Sequence, residues 1–426
     1  MESLFTILIF AAVYAFVIME MWNRAAVALT GALLLIIVQI MSWEEAMDMV
    51  EWETIILLFS MMVLVGVVKH TGVFDYFAVR LAELVGGKAI PLLMVSGLFT
   101  AVGSAFLDNV TTVLLYTPIL LTLTRRLDLP AFPFLVTTIL SANIGGAATL
   151  VGDPPNIMIG QAVERFSFIS FLSHLAPVVI VILLIVFFLL YMMFRSSLSG
   201  KESEKLYRSM DSPGEYLADH AFVVKASGTL LLTICSFLLH PFLPIDLTSL
   251  AMAGALLMLL VSHPYMETGK VFEKIEWETL FFFLGLFVLV GGLEKTGLLD
   301  RLALTVMETS KEDVALTSMA VLWSSGILSG LIDNIPFVAA MIPVVQEMAD
   351  LGFDQIDVVW WSLALGACLG GNATLIGSSC NMVVAGIAAN YRTPLPFLRY
   401  MKYGMLFTLL SLIIATVYVF FRYLQG

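Results

Sequence analysis

Two stretches of this chain place acid where lipid is expected. "LDNVTTVLLYTPIL" runs from Leu107 to Leu120, and "IDNIPFVAAMIPVV" from Ile332 to Val345. Each carries an Asp-Asn pair, Asp108-Asn109 and Asp333-Asn334, inside otherwise apolar sequence. An ionised Asp at the middle of a lipid-facing helix costs ~2.5–3.5 kcal/mol on insertion scales. Acids in membrane segments therefore face a protein interior or a wet cavity, where they mark ion and proton pathways. Carboxylate, amide and hydroxyl oxygens are hard ligands, suited to Na+ or to a proton. Removal from water also disfavours the charged form of a carboxylate, so such a group can exchange a proton near neutral pH.

A second pair of motifs is "NIGGAATLVGDPPN", from Asn143 to Asn156, and "CLGGNATLIGSSCN", from Cys368 to Asn381. Glycine pairs and small polar residues interrupt apolar sequence in both, joined in the first by Pro154-Pro155. Such residues open a helix and free backbone carbonyls, which predicts a broken span with half-helix ends near mid-membrane. Carbonyls there suit cations, and helix N-termini suit anions. The candidate ion or substrate ligands are then Asp108, Asn109, Thr111, Thr112, Asn143, Thr149, Asp153 and Asn156 in the first half. In the second half they are Asp333, Asn334, Asn372, Thr374, Ser378 and Asn381. Na+ is placed first at Asp108, Asn109, Asp153 and Asn156. Ser378 holds the place of Asp153 in the second half, so the first half is expected to bind the coupling cation or proton more strongly. No Lys or Arg within the motifs neutralises the acids. Two plainer roles compete. Asp108 and Asp333 could serve only as helix N-caps, and the glycines only a close helix crossing.

The elements that must hold these residues follow from composition. Of 426 residues, 60% are hydrophobic and 13% charged, too few charges for a soluble chain of this size. Repeated apolar runs predict an all-α polytopic membrane protein. Spans are predicted near 4–21, 25–41, 54–68, 134–162 (broken) and 175–194. A second set falls near 222–239, 250–261, 280–293, 358–389 (broken) and 404–421. The segments 92–123 and 317–348 carry the Asp-Asn pairs at their middles and are predicted to be re-entrant hairpins. Each arm is about fifteen residues, or ~22 Å, short of the ~30 Å hydrocarbon core. Residues 1–194 form a first unit, 195–221 a polar cytoplasmic linker and 222–426 a second unit.

The two units repeat. A shift of 225 carries Glu51-Trp52-Glu53-Thr54 onto Glu276-Trp277-Glu278-Thr279, and Thr71-Gly72 onto Thr296-Gly297. The same shift carries Asp108-Asn109 onto Asp333-Asn334, Gly145-Gly146 onto Gly370-Gly371, and Asn156 onto Asn381, without a gap. Five crossings per unit is an odd number, so the units are expected to insert with opposite orientation, as inverted repeats of a secondary transporter. On that topology fifteen lysines and arginines fall on one face and five on the other, with Lys225 at a boundary left out. The positive-inside rule then makes the linker and the first hairpin's mouth cytoplasmic. Both termini and the second mouth lie outside. The apolar start lacks a basic n-region and reads as a retained span, in the inner or plasma membrane if the chain is prokaryotic.

A net charge of -12 argues against nucleic acid as a partner. No P-loop occurs, so ATP hydrolysis is not expected; no catalytic residue and no cofactor beyond Na+ or H+ as coupling ion is assigned. Cys235, Cys368 and Cys380 lack zinc or disulfide spacing and read as buried free thiols. Glu51, Glu53, Glu276 and Glu278 flank Trp52 and Trp277 as interfacial anchors. The segments 74–85 and 299–307 look amphipathic and are expected along the interface.

At these motifs a family resemblance enters. "LDNVTTVLLYTPI", "GGAATLVGDPPN", "IDNIPFVAAMIPV" and "GGNATLIGSSCNMVVAGIA" closely resemble the melanosomal P-protein family and its prokaryotic relatives. Their superfamily also holds ArsB-type arsenite permeases, NhaD-type Na+/H+ antiporters, silicon-efflux proteins and sodium-coupled dicarboxylate carriers. The resemblance covers nearly the whole chain. It implies a scaffold domain, a transport domain containing both hairpins, an elevator mechanism and a homodimer. Dicarboxylate members carry Ser-Asn-Thr at both tips, where this chain has Asp108-Asn109-Val110 and Asp333-Asn334-Ile335. Acid at both tips would repel a dicarboxylate unless it is protonated or cation-bound. The expected function is therefore Na+/H+ antiport, with proton-coupled efflux of arsenite, silicic acid or another anion as the alternative. A non-transporting membrane scaffold is the third. The expected partners are a small ion or metalloid, the lipid bilayer and a second copy of the chain.

Single cysteines replacing Lys88 and Leu127, on either side of the first Asp-Asn segment, should react with an impermeant maleimide from one face of the membrane. Labelling from opposite faces would mean a full crossing there and would remove the re-entrant pocket.

Overall fold

A computed structural model of the chain describes residues 2–19, 22–86, 88–198, 213–243 and 245–424. Residues 199–212, most of the predicted linker, lie outside the described residues. Among the described residues the chain is helical, with no β-strand. The first half contains α1 (Glu2–Met19), α2 (Arg24–Ile37), α3 (Trp43–Asp48), α4 (Trp52–His70), α5 (Val73–Leu84) and α6 (Ala89–Leu107). It continues with α7 (Asn109–Arg126), α8 (Ala131–Gly146), α9 (Pro154–Ala162), α10 (Phe168–His174) and α11 (Ala176–Leu198). The second half contains α12 (His220–Leu239), α13 (Leu247–Ser262), α14 (Thr268–Phe272), α15 (Trp277–Lys295) and α16 (Leu298–Ser310). Then follow α17 (Val314–Leu331), α18 (Asn334–Asp350), α19 (Ile356–Gly370), α20 (Ser379–Asn390) and α21 (Phe397–Tyr423).

The 225-residue repeat extends to helix starts. Trp43, Trp52, Ala89, Asn109, Ala131 and Pro154 open helices, and so do Thr268, Trp277, Val314, Asn334, Ile356 and Ser379. Local chemistry repeats with them. The Trp52 indole donates back to the Met47 carbonyl at 3.3 Å, and the Trp277 indole to Phe272 at 3.0 Å. Gly72 and Gly297 sit at φ +72° and +66°, a left-handed conformation that glycine adopts without a Cβ clash. Each turns the chain from a long helix into an amphipathic one. The Tyr216 carbonyl rests where a Cβ of Gly72 would stand, and the Ala218 amide donates to the Thr71 carbonyl at 3.0 Å.

Packing repeats as well. α2 packs on α15 and α13 on α4, so each pair joins one half to the other. α6 packs on α8 and α17 on α19 within the halves, while α7 meets α20 and α18 meets α9 across them. α8 and α19 are buried on every side from Pro133 to Gly146 and from Val358 to Gly370, as expected of helices that are apolar all round. A Cβ at Gly145 would stand 2.2 Å from the Ala101 carbonyl oxygen, and one at Gly370 would stand 2.4 Å from that of Gly326. The glycine pairs thus permit close helix crossings, in addition to preceding the breaks.

Seven of the described helices are long and apolar enough to cross a membrane, α6 and α17 among them. The arms around the Asp-Asn pairs are longer than the fifteen residues expected: 19, 18, 18 and 17 residues for α6, α7, α17 and α18. That is ~25–29 Å, so length does not by itself separate a re-entrant arm from a span. The extra turns have local causes. Pro91 lies in the first turn of α6, where its missing N–H is not needed. Arg125 and Arg126 lie in the last turn of α7, where cations suit the helix dipole. Pro118 and Pro343 sit inside the two returning helices at equivalent positions, where each removes one helical hydrogen bond.

Gly145→Val should abolish a monodisperse detergent-solubilised protein on size-exclusion chromatography, because its side chain meets backbone. Gly386→Ala, which faces open space, should leave elution unchanged and keep or raise the melting temperature, by up to ~1 kcal/mol of helix propensity.

Candidate ion-binding site

The two Asp-Asn tips differ despite their matching sequence. Asp108 precedes α7 at φ 74°, ψ 157°, a region populated almost entirely by glycine that costs on the order of 1–3 kcal/mol for other residues. Its carboxylate accepts from the Thr111 amide at 2.8 Å and the Thr111 hydroxyl at 2.6 Å. Asp333 caps α18 in an ordinary conformation, accepting from the Ile335 amide at 3.2 Å. Its other oxygen accepts from the Ser379 hydroxyl at 2.5 Å and lies 3.6 Å from the Arg24 guanidinium. Both acids therefore cap helices. The motifs themselves hold no Lys or Arg, and Arg24, on α2 and outside them, is the cation beside Asp333. It lies 309 positions before Asp333 in the chain, so no motif spacing could reveal it.

Behind the tips lies a buried amide network centred on Asn143. Its oxygen accepts from Asn109 and from Ser378, each at 3.2 Å. Its nitrogen donates to Asn372 at 3.0 Å and Asn381 at 2.8 Å. All four hydrogen-bonding valences of that amide are in use. The repeat-related position is Cys368, whose thiol donates to the Asn156 oxygen at 3.4 Å. Cys368 was read as a plain buried thiol; its place at the offset from Asn143 was the signal for a site role. Cys380 is also buried, but Cys235 is exposed, against expectation.

Asp153 is fully buried at the start of α9. The Asn334 amide nitrogen lies 3.3 and 3.2 Å from its two oxygens. Asp333 and Asp108 lie within electrostatic reach of it, yet among the described residues no ion pair involves Asp108 or Asp153. The break segments bring the remaining candidates into structural roles. Asn156 donates to the Thr149 carbonyl at 2.9 Å, and Asn381 to that of Thr374 at 2.8 Å. The Thr149 and Thr374 hydroxyls donate to the carbonyls of Ala105 and Gly330. These four side chains shape the loops between half-helices.

Several buried atoms are left without partners: Asn109 Oδ1, Thr112 Oγ1 and Asn372 Nδ2. Buried polar groups are nearly always paired. Asn109 and Thr112 stand one turn apart on the first tip's helix, so their two unpaired oxygens share a face. Both oxygens thus have acceptor capacity that no described residue uses. Among the described residues no cluster of three or more His, Cys, Asp and Glu forms, so the donor set is one of hard oxygen atoms from amides, hydroxyls and single carboxylates. Glu51 and Glu294, the first of them expected as an interfacial anchor, line a narrow cavity of about 60 Å³ between α4, α9, α15 and α18.

A family described as "CitMHS: Citrate transporter" matches residues 14–366. The chain belongs to the CitMHS family. Its relatives include the "46 kDa membrane protein" of Mycobacterium leprae, 38% identical over 429 residues and matched over 99% of both chains. An uncharacterized transporter of Mycobacterium tuberculosis is 36% identical over 427 residues, again over 99% of each. The P protein of Mus musculus is 30% identical over 494 residues, covering 96% of this chain and 59% of that protein. Among solved structures, the Alcanivorax borkumensis YdaH transporter matches with a TM-score of 0.57 at 15% identity, over 87% of this chain and 85% of that one. That likeness concerns the fold. With its apolar helices, this CitMHS member is an integral membrane transporter of the P-protein type.

In this CitMHS protein, Asn143→Ala should lower the melting temperature sharply, since each buried partner left unpaired costs ~1–3 kcal/mol. Thr112→Val removes an unpartnered hydroxyl at nearly constant volume. It should melt at or above the native temperature in choline chloride and lose part of any stabilisation that NaCl confers.

Proposed function

We propose that the chain is a secondary active transporter that exchanges Na+ for H+ by an elevator mechanism, as a homodimer of two-repeat protomers. The observation that carries this reading is Asp153, a fully buried carboxylate met by the Asn334 amide and the Cys368 thiol and, among the described residues, by no cation. A permanently charged group in that position is costly. A carboxylate that always holds either a proton or a Na+ avoids the cost. On the first tip, the Asn109 and Thr112 oxygens offer hard ligands without partners. Loading by either ion removes net charge from the site and permits its passage along the scaffold; the empty, ionised site resists it. That asymmetry makes exchange obligatory.

The inverted-repeat arrangement is supported by contacts between residues that the charge count places on one face. Arg125 donates to the Tyr391 carbonyl at 2.5 Å, on the face assigned to the cytoplasm. Lys295 pairs with Glu45 at 2.6 Å, and Arg165 pairs with Asp357, on the face assigned outside. The hairpins 92–123 and 317–348 and the broken helices 134–162 and 358–389 would form the moving body. α2, α4, α13 and α15 would belong to the fixed one.

The family description favours a second reading, citrate. A tricarboxylate would meet Asp108, Asp153 and Asp333 and be repelled, unless it arrived protonated or complexed with a cation. On this reading the acids bind the cation of the complex.

In proteoliposomes with a clamped membrane potential, an imposed pH gradient should drive 22Na+ flux, and Asp153→Asn should reduce it at least tenfold. Unchanged flux in the variant would reject the role of Asp153. Absence of Na+ flux in the native protein, with uptake of citrate only when a divalent cation is present, would replace the first reading by the second. The same panel with arsenite and silicic acid covers the metalloid alternative.

A further inference from the structure

Arg24 is one of the places where the repeat fails and chemistry changes with it. The residue 225 positions on is Ser249, which bonds its own helix cap, Asp246, at 2.7 Å. Arg24 instead reaches across to three elements. It donates to Thr279 on α15 at 3.0 Å and to the Ser379 hydroxyl at the start of α20. It also lies 3.6 Å from Asp333 and 3.8 Å from Glu278, with its guanidinium 5.4 Å from the Phe282 ring centre. Among the described residues the first tip has no such cation. In the first half Thr54, the counterpart of Thr279, keeps a buried hydroxyl without a partner.

The second tip is built to need this partner. Thr111, which satisfies Asp108 with both its amide and its hydroxyl, has Pro336 as its counterpart. Proline offers neither donor. Ser379, which bonds Asp333, replaces Pro154 of the first half. The Asp333 carboxylate thus keeps the Ile335 amide as a local donor to one oxygen, and its other oxygen turns toward α20 and α2. Tyr14 of α1 adds a second tie, donating to the Pro336 carbonyl at 2.7 Å. A cavity of about 250 Å³, whose lining includes Arg24, Asp333, Ser379, Glu278 and Val383, opens onto the pair.

We propose that Arg24 is an intrinsic counter-cation and latch for the second tip. It occupies the Asp333 carboxylate when no cargo cation is bound and ties α18 and α20 to α2 and α15. A cation that enters the cavity competes for the same carboxylate and releases the tie. The two tips then divide the work: the first, with unpaired Asn109 and Thr112 oxygens, is open to ligand, and the second is held shut. The latch rests on the transport reading only for what displaces it.

The test uses the full-length protein in detergent with Cys235→Ser and a reporter, Val383→Cys, in the cavity, its labelling distinguished from that of the buried Cys368 and Cys380 by mass spectrometry. The maleimide labelling rate is compared in NaCl and in choline chloride for the otherwise native chain, Arg24→Gln, Arg24→Lys, Asp333→Asn, and Arg24→Gln with Asp333→Asn. Arg24→Gln and Asp333→Asn should each raise the rate at least fivefold in choline, and the double variant should raise it no further. Arg24→Lys should stay within twofold of native. NaCl should speed labelling of the native chain but not of Arg24→Gln. A merely structural Arg24 would give effects that add in the double variant and no response to salt identity. Additive effects, or an Arg24→Gln rate within twofold of native, would overturn the latch. Coupled rises without any NaCl effect would uphold the latch and remove Na+ as the displacing ion.

Discussion

The constraint on which this structure depends is that polar groups deep in a membrane protein must find their partners within the chain. Backbone breaks and buried amides lose several kcal/mol each if left unsatisfied in hydrocarbon. The chain meets that demand at the breaks between α8 and α9 and between α19 and α20. Asn156 and Asn381 close the loops onto carbonyls, and Thr149 and Thr374 tie those loops to α6 and α17. Asn143 then joins the two halves through three of the four bonds of one side chain. Among the described residues twelve buried side-chain atoms remain without partners, Asn109 Oδ1 and Thr112 Oγ1 on the first tip among them.

A duplicated scaffold supplies two equivalent frames, and a handful of substitutions make the frames chemically unlike. Asp153 faces Ser378, Asn143 faces Cys368, Thr111 faces Pro336 and Arg24 faces Ser249. Each exchange moves a charge or removes a donor while the helix starts stay in register. The outcome is one tip with its carboxylate satisfied locally on a strained backbone, and another whose carboxylate is held by a side chain from a distant helix. Strain at Asp108 is of the kind that clusters where a site must be pre-organised.

Close packing is the third part of the design. Gly145 and Gly370 bring α8 and α19 against the backbone of α6 and α17, which fixes the distance between each tip and its break. Dispersion contacts at such crossings, rather than hydrophobic transfer, hold helices together in lipid. The fold therefore positions the amide network by backbone-to-backbone contact, and side-chain substitutions at the network can alter chemistry without moving the frame.

Much of this was legible from residue order. The apolar runs, the offset of 225 and the two pairs of interrupting motifs identify a helical membrane protein with duplicated ion-handling motifs, because helix breaks and buried acids are local properties of sequence. Arm lengths were misjudged, since a proline or arginine at a helix end extends it in ways that hydropathy does not count. Only the tertiary structure decided which polar atoms are already engaged and which are free. The bond from Asn334 to Asp153, the four bonds of Asn143 and the approach of Arg24 to Asp333 all join residues far apart in the chain. Pairing of this sort depends on three-dimensional proximity between helices, and no spacing along a sequence encodes it.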